Sequence, residues 1–475
     1  MKRFIISLTI IAMILVGCKG TEQENNEDTK NVINDEQSDI KDDTSDTGQS
    51  DNEALVDGTE KEIATSLNNA FMDKDFEFIS NNFNYSAKLK QIINVEMLKS
   101  ADSQINGLAG EFEEVLSTKV VEKDNNKIVI ITNKYSKSNI NCTVSFNQDK
   151  VIENFSLTPA QDVKEVSVPE NVKEIPVEFG EEEYRLPGLL TIPKDKDKYP
   201  IVILAHGSGP QDKDETVGPN KPFRDIAFGL ASKGIGVLRY DKRVFAHRDK
   251  WISEQEKLTV YDETIDDVVY AYNYILDNKD INATGVYVLG HSLSGYLMPR
   301  IANEIPDASG YIVFAGPARP LEDLLVYQIP YLSNLDGKIT DEEQQQINYY
   351  RSVYDKVKNI DESSNYTSAD LGGVGKAYYL DLKDYKPTIV AKDITKPMLF
   401  LQGKRDYQVT LEDFNMWKES LESKDNVTMK LYDGLNHLFI KGEGTPNPDE
   451  YFIPSKVDNN VIDDISEWIL LNNSN

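Results

Sequence analysis

Residues 285–303 read GVYVLGHSLSGYLMPRIAN, and the fold is decided there. The run 285–290 is apolar and rich in β-branched and aromatic residues, as in a strand buried on both faces. Residues 296–303 have the spacing of a helix. Between them Gly290-His291-Ser292-Leu293-Ser294-Gly295 leaves room only for a sharp turn. A strand, a tight turn and a helix lift a serine hydroxyl above the C-terminal edge of a sheet and aim a helix N-terminus at charge developing there. Ser292 is therefore the candidate nucleophile. The turn departs from Gly-x-Ser-x-Gly at its last position, where Ser294 stands and Gly295 follows one residue late. Its elbow geometry is the point to check. Taken alone, the same letters also describe an ordinary strand-to-helix turn capped by serine.

Outward from this turn, apolar runs at 201–206 (IVILAH), 234–240 (GIGVLRY), 311–315 (YIVFA), 398–403 (MLFLQG) and 427–432 (VTMKLY) alternate with helical stretches. In one of these, Ile265, Val268, Val269, Tyr272, Ile275 and Leu276 form a single apolar stripe. That alternation predicts an α/β domain over 166–475, a mostly parallel sheet flanked by helices. Strands at 174–178 and 189–192 are expected to pair antiparallel at its edge. Residues 321–393 are helical in pattern, Tyr-rich and without a sheet strand, so they read as a helical cap inserted between core strands. Tyr327, Tyr331, Tyr349, Tyr350, Tyr378 and Tyr379 lie in it; they either line a pocket or pack the insertion.

Two loops at strand ends supply partners for Ser292. Asp406 follows the 398–403 strand and His437 the 427–432 strand. A serine hydroxyl is a poor nucleophile until a base takes its proton. The chain has four histidines. His291 adjoins the serine and is expected to point away, His206 to brace the loop after its strand, and His247 to be solvated. His437 is left as the base, with Asp406 fixing its tautomer. An oxyanion hole needs two backbone N–H donors. Leu293 is expected to give one. The loop His206-Gly207-Ser208-Gly209-Pro210 gives the other, with Ser208 the first choice and Gly207 the second. Asp212, Asp214 and Glu215 read as a solvated acidic loop, because no His or Cys accompanies them as a metal site would require. No metal or organic cofactor is expected.

The N-terminal third has a different character. Residues 1–18, MKRFIISLTIIAMILVGC, combine a charged start, an apolar run and a small residue before Cys18. The segment resembles a bacterial lipoprotein signal, implying cleavage before Cys18, lipidation of its thiol and an extracytoplasmic protein held to the membrane by acyl chains such as palmitate. The run is too short to span about 30 Å of hydrocarbon comfortably as a helix. Residues 19–58 carry no aromatic residue and a large acidic excess, which predicts a disordered tether. Over 59–160, helical stretches at 63–71 and 89–98 precede alternating strands at 112–121, 127–134, 139–146 and 151–157, a small α+β domain. Cys142 falls on one of those strands and reads as a buried, unreactive thiol. A net charge of -29 repels nucleic acid and anionic lipid headgroups.

Together HGSGPQDKDE, NKPFRDIAFGLASKGIGVLRYDKR, GHSLSG, LQGKRDYQV and GLNHLF resemble the bacterial EstD-type carboxylesterases, relatives of the S33-like serine hydrolases with the α/β-hydrolase fold. The order Ser292, Asp406, His437 is that of their triads. The resemblance spans 166 to the C-terminus, and 59–160 resembles the DUF3887-type domains that precede some bacterial hydrolases. It implies hydrolysis of short-chain carboxylic esters through an acyl-enzyme, with Ser208 and Leu293 at the oxyanion positions. A peptidase, thioesterase or acyltransferase would use the same triad. A non-catalytic binding lipoprotein is the third reading.

Overall fold

The computed structural model describes residues 55–90, 92–123, 126–160 and 166–473. Segment 1–18 with Cys18, and most of the 19–58 tether, lie outside the described residues. The chain forms two compact units that divide after Ala160.

In the first unit Thr59 opens the helix Glu60–Met72 with a capping box closed by Glu62. Strands β1 (Phe112–Lys123), β2 (Asn126–Tyr135), β3 (Asn139–Phe146) and β4 (Ile152–Pro159) form an antiparallel sheet in sequence order. Alternation along β3 sends Ile140, Cys142, Val144 and Phe146 inward, where they share a core with Leu67, Phe71 and Leu98. The helix expected over 89–98 is two helices, Ala87–Lys90 and Val95–Ala109. Asn94 breaks it: its side chain accepts from the Met97 N–H, the N-cap bond that asparagine favours over a place in mid-helix. Burial pushes the Cys142 thiol up to about 12, so it stays protonated.

The second unit has the predicted α/β-hydrolase architecture. Its strands are β5 (Val172–Phe179), β6 (Leu186–Pro193), β7 (Tyr199–Ala205), β8 (Gly236–Tyr240), β9 (Ala283–His291), β10 (Gly310–Phe314), β11 (Met398–Gly403) and β12 (Val427–Tyr432). They lie in the order β12-β11-β10-β9-β7-β8-β6-β5. Pairing is parallel from β8 through β12 and antiparallel at β6 with β5 and β8. Every residue of β7, β8, β10 and β11 is buried because helices cover both faces. On one face lie Val268, Ala271 and Ile275 with Leu297 and Ile301; on the other lie Phe223, Ile226, Ile465 and Trp468. The 321–393 insertion leaves the sheet after β10 and returns at β11, carrying helices Leu321–Ser333, Asp341–Lys358 and Lys376–Leu382. From β7 the chain steps to β8 on one side and later to β9 on the other. That switch opens a crevice at the C-terminal strand ends, where open α/β sheets place ligands. No described helix is long and apolar enough to cross a membrane.

Candidate active site

Strand β9 ends at His291 and the helix Leu293–Glu304 starts two residues later, so Ser292 alone makes the turn. Its backbone sits at φ 52 and ψ -111, a conformation that costs an L-residue on the order of 1–3 kcal/mol. Two bonds enforce it: Ser292 N–H to the Phe314 carbonyl at 2.9 Å and Tyr296 N–H to the Ser292 carbonyl at 3.0 Å. Ser294 is no defect in this elbow. Its hydroxyl donates to the His206 carbonyl, tying the helix to the end of β7. Gly295 takes the close approach, since a Cβ there would lie 2.6 Å from the Gly316 Cα.

His437 Nδ1 is 2.7 Å from Asp406 Oδ2. Asp406 is otherwise saturated: Oδ1 accepts from the N–H groups of Gln408 (2.8 Å) and Val409 (3.0 Å), and Oδ2 from Gln402 Nε2 (3.0 Å). A carboxylate held by four donors cannot swing, so it fixes the imidazole and leaves Nε2 on the ring edge away from Asp406. The His437 loop is pinned in turn by the Asn436 amide on Glu450 at 3.0 Å and by Phe439 stacked on Phe314 at 3.7 Å.

The loop after β7 lies against the nucleophile: a Cβ on Gly207 would be 3.3 Å from the Ser292 Cβ. Gly207 does not serve as the alternative oxyanion donor, because its N–H is spent on Glu215 Oε1 at 2.8 Å. The Gly209 N–H is likewise spent on Glu263 Oε1 at 2.9 Å. Ser208, between them, keeps its N–H, and Leu293, first in its helix, has no intrahelical carbonyl to reach. Two carboxylates thus clamp the loop on either side of the expected donor.

The expectation of a solvated acidic loop fails at all three positions. Asp212 accepts from the N–H groups of Asp214 and Thr216, and Asp214 pairs with Arg239 at 2.9 Å and Lys221 at 3.0 Å. Glu215 is 2% exposed, with φ 51, and faces His291 Nδ1 at 2.9 Å. His291 is no bystander either. Its Nε2 lies 3.0 Å from the His437 carbonyl, which only accepts, so that nitrogen carries the proton. Burial opposes charge on both partners, yet each holds the other ionised: Glu215 is kept below the usual carboxylate range and His291 above the usual imidazole value. This pair joins the loop carrying Gly207 to the loop carrying His437.

A second buried cluster was equally hidden in the sequence. Glu263 sits in a π-helical turn, Tyr261–Ile265, a rare register often found at functional sites. It binds Lys242 Nζ at 2.6 Å and the Tyr378 hydroxyl at 2.7 Å, while Lys242 also donates to the Gly207 carbonyl at 2.7 Å. Nothing in the letters separates these residues from solvated ones; only burial does. His206 braces the loop, its Nε2 3.0 Å from the Asp212 carbonyl, and burial drives its pKa down to about 4. His247, expected in solvent, is half-buried with Nε2 2.8 Å from the Arg185 carbonyl.

Ser292, His437 and Ser208 line one cavity of about 160 Å³, roofed by Leu324 and Leu325 of the insertion. Tyr378 and Tyr379 reach it, Tyr350 is buried elsewhere in the insertion, and Tyr327 and Tyr349 are exposed. Among the described residues no cluster of three or more His, Cys, Asp or Glu is arranged to hold a metal ion.

A family described as "Serine aminopeptidase, S33" matches residues 200–443, and one described as "Protein of unknown function (DUF3887)" matches 64–155. The chain is 36% identical over 388 residues to Esterase EstD of Thermotoga maritima, covering 81% of this chain and 90% of that protein. Est1E from Butyrivibrio proteoclasticus is similar in structure at 17% identity and a TM-score of 0.41, over 63% of this chain and 99% of that one. The Pyrococcus furiosus esterase Pf2001 is similar at 16% identity and a TM-score of 0.37, over 56% and 83%.

Proposed function

This chain belongs to the serine aminopeptidase S33 family, and we propose that it cleaves short-chain carboxylic esters through an acyl-enzyme formed on Ser292. It is an ester-hydrolysing, carboxylesterase-like α/β-hydrolase. In the proposed route His437 Nε2 takes the Ser292 proton as Oγ attacks the ester carbonyl carbon. The N–H groups of Ser208 and Leu293 receive the oxyanion. His437 then returns the proton to the departing alkoxide, and water repeats the sequence on the acyl-enzyme. Asp406 holds the tautomer throughout. The observation that carries this reading is the Asp406–His437 bond of 2.7 Å in a histidine that shares a cavity with a strained serine. A cavity near 160 Å³ supports the short-chain preference, since about 150 Å³ accommodates one benzene-sized group.

A fluorophosphonate probe is expected to label the protein, and Ser292→Ala to abolish both labelling and p-nitrophenyl butyrate hydrolysis, a loss of about 10⁴-fold or more. Labelling that persists in Ser292→Ala overturns the assignment; turnover of aminoacyl amides or thioesters in preference to esters overturns the substrate class. Leu15-Val16-Gly17-Cys18 supports a lipid anchor on Cys18 and an extracytoplasmic site of action. Metabolic labelling with an alkynyl palmitate is expected to tag the wild type and not Cys18→Ala, which should move from the membrane to the soluble fraction.

A further inference from the structure

Three consecutive peptides carry the loop after β7 past Ser292, and the middle one is fastened unlike its neighbours. The Gly207 N–H goes to Glu215 Oε1 at 2.8 Å and the Gly209 N–H to Glu263 Oε1 at 2.9 Å. The peptide between them, Gly207–Ser208, is held by its other edge: the Gly207 carbonyl accepts from Lys242 Nζ at 2.7 Å. The described peptide bonds are all trans, so this carbonyl and the Ser208 N–H point in opposite directions in one plane. Whatever holds the carbonyl therefore aims the N–H.

Lys242 is a costly fastener. It is 2% exposed, its charge is met by Glu263 Oε1 at 2.6 Å, and a neutral donor would satisfy a carbonyl without burying an ion pair. A cation does more than a neutral donor, because it draws electron density out of the amide through the carbonyl and leaves the N–H a stronger donor. The ammonium also has a fixed seat. Glu263 is held through its other oxygen by the Tyr378 hydroxyl at 2.7 Å, and the Lys242 backbone N–H is on the Gln211 carbonyl at 3.0 Å, in the same loop that its side chain steers. Lys242 does not line the cavity, so it acts only through that peptide. Resting on the mechanism proposed above, we propose that Lys242 is a positioning residue for the oxyanion: its ammonium aims and polarises the Gly207–Ser208 peptide so that the Ser208 N–H meets the charge formed in the transition state.

The test compares inhibition of the full chain by hexan-2-one and by its trifluoromethyl analogue. Ser292 Oγ adds to the carbonyl carbon of the fluorinated ketone, its proton passes to His437, and the carbonyl oxygen becomes an alkoxide where the oxyanion would form. Lys242→Met combined with Glu263→Gln strands no buried charge. It is expected to weaken the fluoroketone and lower kcat each about 10–100-fold, with KM and the hexan-2-one inhibition constant within about threefold. Glu263→Gln alone leaves the ammonium on the carbonyl and should lose much less. Equal losses on both ketones, an unchanged kcat in a folded double variant, or the whole loss already present in Glu263→Gln overturns the inference. A readout on the wild type decides the case even where the variants fail to fold. Gly207-Ser208 is the only Gly-Ser pair in the chain, so labelling glycine at its carbonyl carbon and serine at its nitrogen leaves a single filtered NMR signal. Its carbonyl is expected downfield of a random-coil glycine, and its amide proton should move downfield when the fluoroketone adds; a carbonyl at the random-coil position, or an amide proton that stays put, overturns the inference. Failure of the mechanism itself looks different: the fluorophosphonate leaves Ser292 unlabelled and every ester is inert.

Discussion

Among its described residues the 55–160 unit buries three polar side chains, Asn68, Asn82 and Asn133, while the 166–473 unit buries Glu215, Asp225, Arg239, Lys242, Glu263, Asp267 and Asp406 among others. Taking a charge out of water rarely stabilises a fold beyond what an apolar replacement would. The charges of the second unit are therefore better explained by what they hold in place, and several gather where β7, β9 and β11 end. Two asparagines of the first unit serve packing. Asn68 and Asn133 bond each other reciprocally at 3.1 and 2.7 Å, a closed pair.

That contrast can be attacked by substitution, starting where the effect should be greatest. Asp406→Asn keeps the shape of the site but presents a donor to His437 Nδ1; kcat is expected to fall about 10⁴-fold with the melting temperature little changed. Near-normal turnover would remove Asp406 from the mechanism. Next, Glu215→Ala strands His291 and frees the Gly207 N–H. It should lower urea-unfolding stability by about 3–5 kcal/mol and also depress kcat more than it raises KM, whereas Glu215→Gln, which can still bridge both partners, should retain most of each. Stability lost with kcat intact would make this pair as purely structural as the asparagines.

The same pair has a pH signature. Glu215 lies below its ordinary value of 4.5, so its contribution is present above that pH and vanishes as pH falls through the folded value. His291 lies above 6.5, so its contribution is present below that pH and vanishes as pH rises through its own folded value. Both operate together between pH 4.5 and 6.5. The urea-midpoint gap between wild type and Glu215→Gln should be widest there and narrow on either side; a flat gap would contradict the ion pair. Smallest of all, Asn133→Ala should cost the 55–160 unit about 1–3 kcal/mol by orphaning Asn68, and replacing both with leucine should cost far less. Esterase kcat should be unmoved in each, and a change would mean that the first unit takes part in the reaction.

Burial on both faces writes an unbroken apolar run, which made 398–403 legible as β11; 427–432 matches β12 at both ends, but that strand lies at the sheet edge and is only part-buried. Ser292, Asp406 and His437 could be singled out as candidates because each follows the end of a legible strand. Glu215, Lys242 and Glu263 could not. Each stands in a polar loop or on a helix where a solvated residue looks the same, and its burial comes from segments far away in sequence, such as Tyr378 over Glu263. The helix misread at 89–98 failed for a local reason, since apolar spacing continues through Asn94 while its side chain takes over the backbone bond that would have carried the helix on.

The left-handed turn at Ser292 has an evolutionary consequence. Glycine adopts that backbone without steric penalty, so Ser292→Gly should yield a protein that is inert and yet melts no lower than its parent, with relief of strain offset in part by the added freedom of the unfolded chain. A lineage selected for heat tolerance alone would have no reason to keep the serine, and one mutation would let it drift into a durable, silent relative. On the mechanism proposed above, a serine at so uncomfortable a position serves turnover and not stability.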